Sequence, residues 1–279
     1  MTQRYTFILM CTNDTIFFSY ICPMHKKVDF NKLDFEEQFV PGQSIDCVII
    51  GFENHKIKIL VLKWKAVQNA WALPGGFIRK DEDLDKAAIR ILKERTGVEL
   101  PFLEQFKTFG NLDRNKSKYQ LENSILESMP SAALEWLNQR FISTGYVSLV
   151  DISKCSPKPD IFSEKIAWVD LEELPELIMD HDLMVKTAIG YIKNQINYLP
   201  IGINLLPEKF TMKQLQLLYE AILSRKLDRG NFQRKMLKLD IFIRHEKRLE
   251  GGANKAPYLY SFDEEKYNEL LKQGFGFSS

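Results

Sequence analysis

"GGFIRKDEDLDKAAIRILKERTGV", residues 75–98, joins a glycine loop to a helix, and its reading decides the fold. From Leu84 the apolar positions Leu84, Ala87, Ala88, Ile91 and Leu92 follow the i, i+3, i+4, i+7 spacing of a half-buried helix. Gly97 supplies a natural stop. At the other end, Gly75 and Gly76 carry no Cβ, so the backbone there can approach a ligand closely. Ile91, Glu94 and Arg95 stand at i, i+3 and i+4 and share one face of the helix.

Around this stretch the chain alternates strands and helices. Residues 44–52 and 57–63 are apolar, β-branched runs separated by a turn at Asn54-His55, the pattern of a strand pair. Further strands are expected at 104–110, 144–150 and 164–169. "KYQLENSILESMPSAALEWLNQR" is helical in composition, is interrupted by Pro130, and reads as an insertion at about 115–140. Residues 182–198 form another expected helix, and "LPIGINLLP" after it marks a boundary by its two prolines and Gly202.

The bulk numbers fit this plan. A chain of 279 residues, 45% hydrophobic and 27% charged, is long enough for one large domain or two smaller ones with a real core. Cys11, Cys22, Cys47 and Cys155 are far apart and form no C-x-x-C pair, which points to a reducing cytoplasm. The N-terminal apolar run is broken by Asn13-Asp14 and preceded only by Arg4, so it reads as a short hairpin or ill-ordered extension rather than a signal peptide. No apolar segment reaches membrane-spanning length.

A net charge of +1 conceals an uneven distribution. Residues 209–262 hold twelve lysines and arginines against five acids, an excess of +7, so the rest of the chain carries −6. An acidic part joined to a basic part points toward nucleic acid. Within the basic part, Thr211 and Gln214 make a capping box ahead of the apolar stripe Leu215, Leu218, Tyr219 and Ile222. After a break at "LDRG", a second helix is expected from about Asn231. Phe232, Met236 and Leu239 lie on one of its faces, and Asn231, Arg234, Lys235 and Lys238 on another. A recognition helix needs both an apolar side to dock and a basic, amide-bearing side to present. "FIRHEKRLEGGANKAPYLYSF" then supplies two strand-like arms around Gly251-Gly252, with Lys247, Arg248 and Lys255 near the tip, as in the hairpin of a winged helix.

Gly76, Glu82, Arg90, Leu92, Glu94, Gly97 and Val98 stand at the spacing of a Nudix box, and residues 42–180 resemble that family. The resemblance implies an α/β/α sandwich. It also implies three carboxylates at 91, 94 and 95 holding Mg²⁺ against a pyrophosphate, and here two of them are Ile91 and Arg95. Magnesium prefers hard oxygen ligands, and Arg95 puts a fixed cation where the metal would sit. No metal and no cofactor are therefore expected, and Glu82 with Arg90 reads as an ion pair bracing the loop against the helix. Ile91 is expected in the core. The alternative is an Mg²⁺-dependent Nudix hydrolase of nucleoside diphosphate derivatives using Glu94 and Glu82, with Glu122 or Glu127 as further acids.

A degenerate Nudix domain followed by a winged helix resembles the Nudix-related transcriptional regulators. That resemblance implies a cytoplasmic homodimer that binds a double-stranded DNA operator and senses a sugar or ADP-ribose-type effector. The plan is then an extension at 1–41, a ligand-binding domain at 42–181, a linker helix and boundary at 182–205, a DNA-binding domain at 206–265 and a tail at 266–279. Gly75, Gly76, Phe77, Asp113 and Arg114 are the expected effector contacts. Arg229, Asn231, Arg234, Lys235, Lys238, Lys247, Arg248 and Lys255 are the expected DNA contacts.

Overall fold

Strand β1, Phe39–Glu53, runs through the middle of the larger sheet and turns back at Asn54 and His55 into β2, Lys56–Trp64. Both turn residues adopt left-handed backbone (φ +50° and +64°), the conformation that matches a tight turn to the twist of its strands. The computed structural model describes residues 34–65, 69–98, 102–114, 130–159, 163–196, 200–247 and 256–273. β3 (Trp71–Ala72), β4 (Gly75–Arg79), β5 (Phe102–Phe109), β6 (Ile142–Leu149) and β7 (Ser163–Asp170) complete a mixed seven-stranded sheet. β6 runs parallel to β1, whereas β4 pairs with β1, and β7 with β2, antiparallel.

Alternation along β1 assigns its two faces. Ile45, Cys47 and Ile49 pack under α2 (Leu84–Thr96), with Ala87, Ala88, Ile91 and Leu92 of that helix. Val48 and Ile50 face the other way, onto α4 (His181–Gln195), with its Met184, Val185, Ala188 and Ile192. Helices on both faces of the sheet make the α/β/α sandwich expected from the box. α2 is closed at both ends: Asp83 accepts from the Lys86 amide, and Gly97 caps the C-terminus at φ +74°.

The sheet begins earlier than the periodicity indicates. α1 (Phe35–Gln38) and the start of β1 belong to the sandwich rather than to an extension ending at 41. Phe35 and Phe39 join Phe77, Trp136 and Phe141 in an aromatic cluster. Trp136 comes from α3, Ser131–Asn138, at the end of the insertion; residues 1–33 and 115–129, including Glu122 and Glu127, lie outside the described residues.

Beyond α4 the chain does not loosen into a linker. Ile201, Leu205 and Leu206 are buried, and a Cβ on Gly202 would come within 2.7 Å of Leu215. One hydrophobic core runs from Ile57, Ile59 and Val61 of β2 through α4 to Leu215, Leu218 and Ile222. The last three belong to α5 (Met212–Leu223), which is followed by α6 (Arg229–Leu237). β8 (Phe210–Thr211), β10 (Tyr258–Phe262) and β9 (Phe242–Lys247) form a three-stranded sheet in that order. Residues expected to trail as a tail from 266 instead continue α7, Glu264–Gln273. Its Tyr267 is buried edge-on against Phe262, and its Lys266 Nζ bonds Asp240 at 2.6 Å. Among the described residues, no helix is long and apolar enough to cross a membrane.

Candidate functional site

The helical face that would hold a metal in a Nudix box is occupied by other chemistry. Ile91 is 1% exposed and packs so tightly on the loop that a Cβ on Gly76 would lie 3.0 Å from its Cδ1. Glu94 is 43% exposed and sits 3.5 Å from the Arg90 guanidinium. Arg95 donates from Nη2 to the Gly75 carbonyl at 3.4 Å. Among the described residues, no group of three or more His, Cys, Asp or Glu is placed to hold a metal ion. The donor set does not fit magnesium, which needs several hard oxygens around one point.

Glu82 and Arg90 brace the loop against the helix. Arg90 donates from Nε and Nη2 to the two Glu82 oxygens at 2.9 and 2.5 Å, and Nη2 also reaches the Phe77 carbonyl at 2.9 Å. The Arg79 amide adds a third bond to Glu82 at 2.9 Å. Burial pulls the Glu82 carboxyl upward, but the bonds from Arg90 and Arg79 outweigh it and hold the group below the usual carboxylate range. Both side chains are thus committed to shape.

Beneath the glycine loop lies a buried polar cluster that the box does not announce. Asp46 of β1 accepts from Arg114 Nη2 at 2.8 Å and from Ser143 Oγ at 2.6 Å. Arg114, on the turn after β5, is only 2% exposed; its Nε lies 3.3 Å from Asp180 Oδ1. His181, the first residue of α4, accepts the Leu73 amide at Nδ1 (3.0 Å) and turns Nε2 toward Asp46 Oδ1 at 3.7 Å. The neutral imidazole therefore carries its proton on Nε2. Burial drives the Asp46 carboxyl upward, and His181, Arg114 and Ser143 together reverse that, leaving it below its ordinary value. A Cβ on Gly75 would meet Asp46 Oδ1 at 2.5 Å and the Ile45 carbonyl at 2.6 Å. The loop rests directly on the cluster.

These contacts place the expected effector residues unevenly. Gly75 and Gly76 are partly exposed on β4, and Asp113 is exposed on its turn. Phe77 is turned into the aromatic cluster. Arg114, expected on a polar turn, lies under the surface because Asp46 requires a counter-charge.

The basic end has the geometry of a helix-turn-helix. Thr211 and Gln214 form the capping box reciprocally. Glu220 accepts from Gln216, Lys226 and the Leu227 amide and so fixes the turn between α5 and α6. α6 starts at Arg229, two residues before Asn231, because Asp228 caps it through the Asn231 amide at 2.8 Å. Phe232 packs edge-on against Tyr219 (ring centroids 5.2 Å apart), and Met236 is buried beside it. Arg229, Asn231, Arg234, Lys235 and Lys238 are all exposed, with Arg234 Nη2 bonded to Asn231 Oδ1 at 3.0 Å. On the wing, Arg244 lies 4.6 Å and Lys247 5.4 Å from the Tyr258 ring, so Tyr258 gathers both cations on one strand pair. Arg248, Lys255 and the Gly251-Gly252 tip fall outside the described residues.

Sheet, box helix and helix-turn-helix define a two-part protein, a Nudix sandwich carrying a winged helix. Comparison with known proteins agrees. The NUDIX domain profile matches residues 40–187, and the NrtR DNA-binding winged helix domain profile matches 202–262. The ADPR responsive transcriptional repressor NtrR of Acinetobacter baylyi is 27% identical over 234 residues, covering 82% of this chain and 84% of that one. An ADP-ribose pyrophosphatase of Methanocaldococcus jannaschii is 22% identical over 146 residues, 52% of this chain and 72% of the other. Among solved structures, Shewanella oneidensis NrtR complexed with a 27mer DNA matches with a TM-score of 0.63 at 23% identity, covering 81% of this chain and 95% of that one. A MutT/nudix family protein from Enterococcus faecalis matches with a TM-score of 0.57 at 18% identity, covering 84% and 90%. The chain belongs to the Nudix family, among its members that are transcriptional regulators with a DNA-binding winged helix.

Proposed function

We propose that this regulator binds ADP-ribose, or a closely related nucleoside diphosphate sugar, in its Nudix domain and changes its grip on operator DNA in response. The observation that carries the reading is the likeness to the Acinetobacter ADPR responsive repressor, which extends over 84% of that protein and so takes in both domains. The effector lies against the Gly75-Gly76 loop and the turn at Asp113, with Phe77 and Arg114 holding the loop in shape from within. Arg229, Asn231, Arg234, Lys235 and Lys238 face the major groove. Lys247 and also Arg244 reach phosphates from the wing, and Arg248 and Lys255, outside the described residues, are assigned the same role from the sequence. The protein acts in the cytoplasm as a homodimer on paired half-sites.

Coupling runs through bonded contacts. Leu73, two residues before Gly75, is hydrogen-bonded to His181, and α4 carries that residue at its start and Ile192 in the core shared with α5. Lys193 Nζ also bonds Ser224 Oγ at 3.0 Å, at the end of α5. Displacing the loop therefore biases the placement of the winged helix, which is what a ligand with different affinity for two arrangements requires.

The test is to select genomic DNA fragments with the purified protein and titrate them with and without saturating ADP-ribose. A shift in DNA affinity is expected; an unchanged affinity refutes the reading. The hydrolase alternative finds no support in the donor set at 91, 94 and 95. It predicts Mg²⁺-dependent cleavage of ADP-ribose that Glu94→Gln abolishes.

A further inference from the structure

The box helix of this chain offers a diphosphate something other than a metal. The three box positions at 91, 94 and 95 hold a core isoleucine, an exposed glutamate paired with Arg90, and Arg95, whose guanidinium bonds the Gly75 carbonyl. We infer that Arg95 takes the place of the divalent cation: its guanidinium holds the effector's diphosphate directly, and binding needs no metal. This rests on the proposal that the Nudix domain binds a nucleoside diphosphate.

Three features of the site support it. Arg95 is half-buried and anchored at the inner end of the loop, so its charge is fixed where helix and loop meet. Its field reaches β1, where it draws the Cys47 thiol downward against the burial and the Asp46 charge that push it up. A guanidinium stays charged at any physiological pH and offers a planar fork that matches two phosphate oxygens, whereas a lone exposed glutamate would repel them. Arg95 also lies in the last turn of α2, where a cation complements the helix dipole. That purely structural role predicts effects on stability but none on metal dependence or ligand affinity.

The experiment is calorimetric titration of the full chain with ADP-ribose, in EDTA and again in Mg²⁺, for the wild type and three variants checked for folding by thermal melting. The wild type should bind equally in both. Arg95→Gln should bind about ten- to a hundred-fold more weakly in both, the range for losing hydrogen bonds to a charged group. Arg95→Lys, which keeps the charge and loses the fork, should fall between. Arg95→Glu, which restores a carboxylate beside Glu94, should fail to bind in EDTA and regain affinity in Mg²⁺. Wild-type binding that collapses in EDTA, or Arg95→Gln binding like the wild type, overturns this inference and leaves the sensor reading standing. A wild type that binds DNA but no ADP-ribose under either condition overturns both.

Discussion

His181 should make the stability of this protein depend on pH in a way that one substitution removes. Its Nδ1 accepts the Leu73 amide, so protonating that nitrogen costs the bond and leaves a buried donor facing a cation. Burial is the largest influence on the ring and pulls its pKa down; Asp46, Asp180 and Asp182 pull it up, Arg114 down, and the net value lies below 6.5. The unfolded chain therefore takes up a proton near pH 6.5 while the folded chain does not, and stability present above that pH is lost as pH falls below it. One proton of difference gives a slope of at most about 1.4 kcal/mol per pH unit. In His181→Gln the side-chain carbonyl can still accept from Leu73, but nothing titrates. Urea unfolding at pH 7.5, 6.5 and 5.5 should show the wild type losing more than the variant over the last interval, by at most about 1 kcal/mol. Asp46, whose carboxyl lies below its ordinary value of 3.8, contributes stability that is lost only as pH falls below that range, outside this window. Parallel losses in the two proteins would refute the assignment of a neutral, acceptor His181.

Gly75→Ala should destabilise by about 2 kcal/mol or more, because the new Cβ meets a pinned carboxylate and a backbone carbonyl rather than a movable side chain. Gly76→Ala meets only the tip of Ile91 and should cost about 1 kcal/mol, less in an Ile91→Val background; equal costs for the two glycines in urea unfolding would count against the packing. Glu82→Ala removes the acceptor of a half-buried guanidinium and should cost about 1–2 kcal/mol by the same measurement. Lys247→Ala should weaken DNA binding uniformly across sequences and lower the slope of log affinity against log salt by about 1; Arg234→Ala should weaken binding and blunt discrimination between operator and random duplex, and indifference of both would remove the assigned DNA face.

What could be read ahead of the structure was local. The Asn54-His55 turn, the Gly97 stop of α2, the capping box at Thr211 and the Glu82–Arg90 brace all lie within a few residues or one motif, and each follows from spacing. Partners distant in the chain were not legible. Asp46 sits in an apolar β-branched run, and its counter-charge lies 68 residues on. Periodicity assigns a residue to a face but cannot say what meets it there. A signal existed nonetheless: an acid inside such a run requires a cation, and Arg114, expected instead as an effector contact on a polar turn, supplies it. The aromatic cluster draws from α1, β1, β4, α3 and Phe141, so no single window reveals it. Gly230 hid the start of α6, although Asp228 three residues before Asn231 was a cap in plain view. The prolines around Gly202 signalled a boundary, and they said nothing of whether the chain beyond α4 was buried.

The core shared by β2, α4 and α5 determines what kind of movement regulation can use. A winged helix tethered by a loose segment would swing. Here Gly202 is pressed against Leu215 and Phe262, and the side chains of both parts interdigitate, so reorientation has to proceed by sliding of packed helices, on the order of 1–2 Å. On the homodimer proposed above, displacements that small would matter at paired half-sites, because a slight rotation at the core is multiplied by the distance to each recognition helix. Under the proposed function, the stiffness of the joint is then the means by which a small ligand would be felt by DNA.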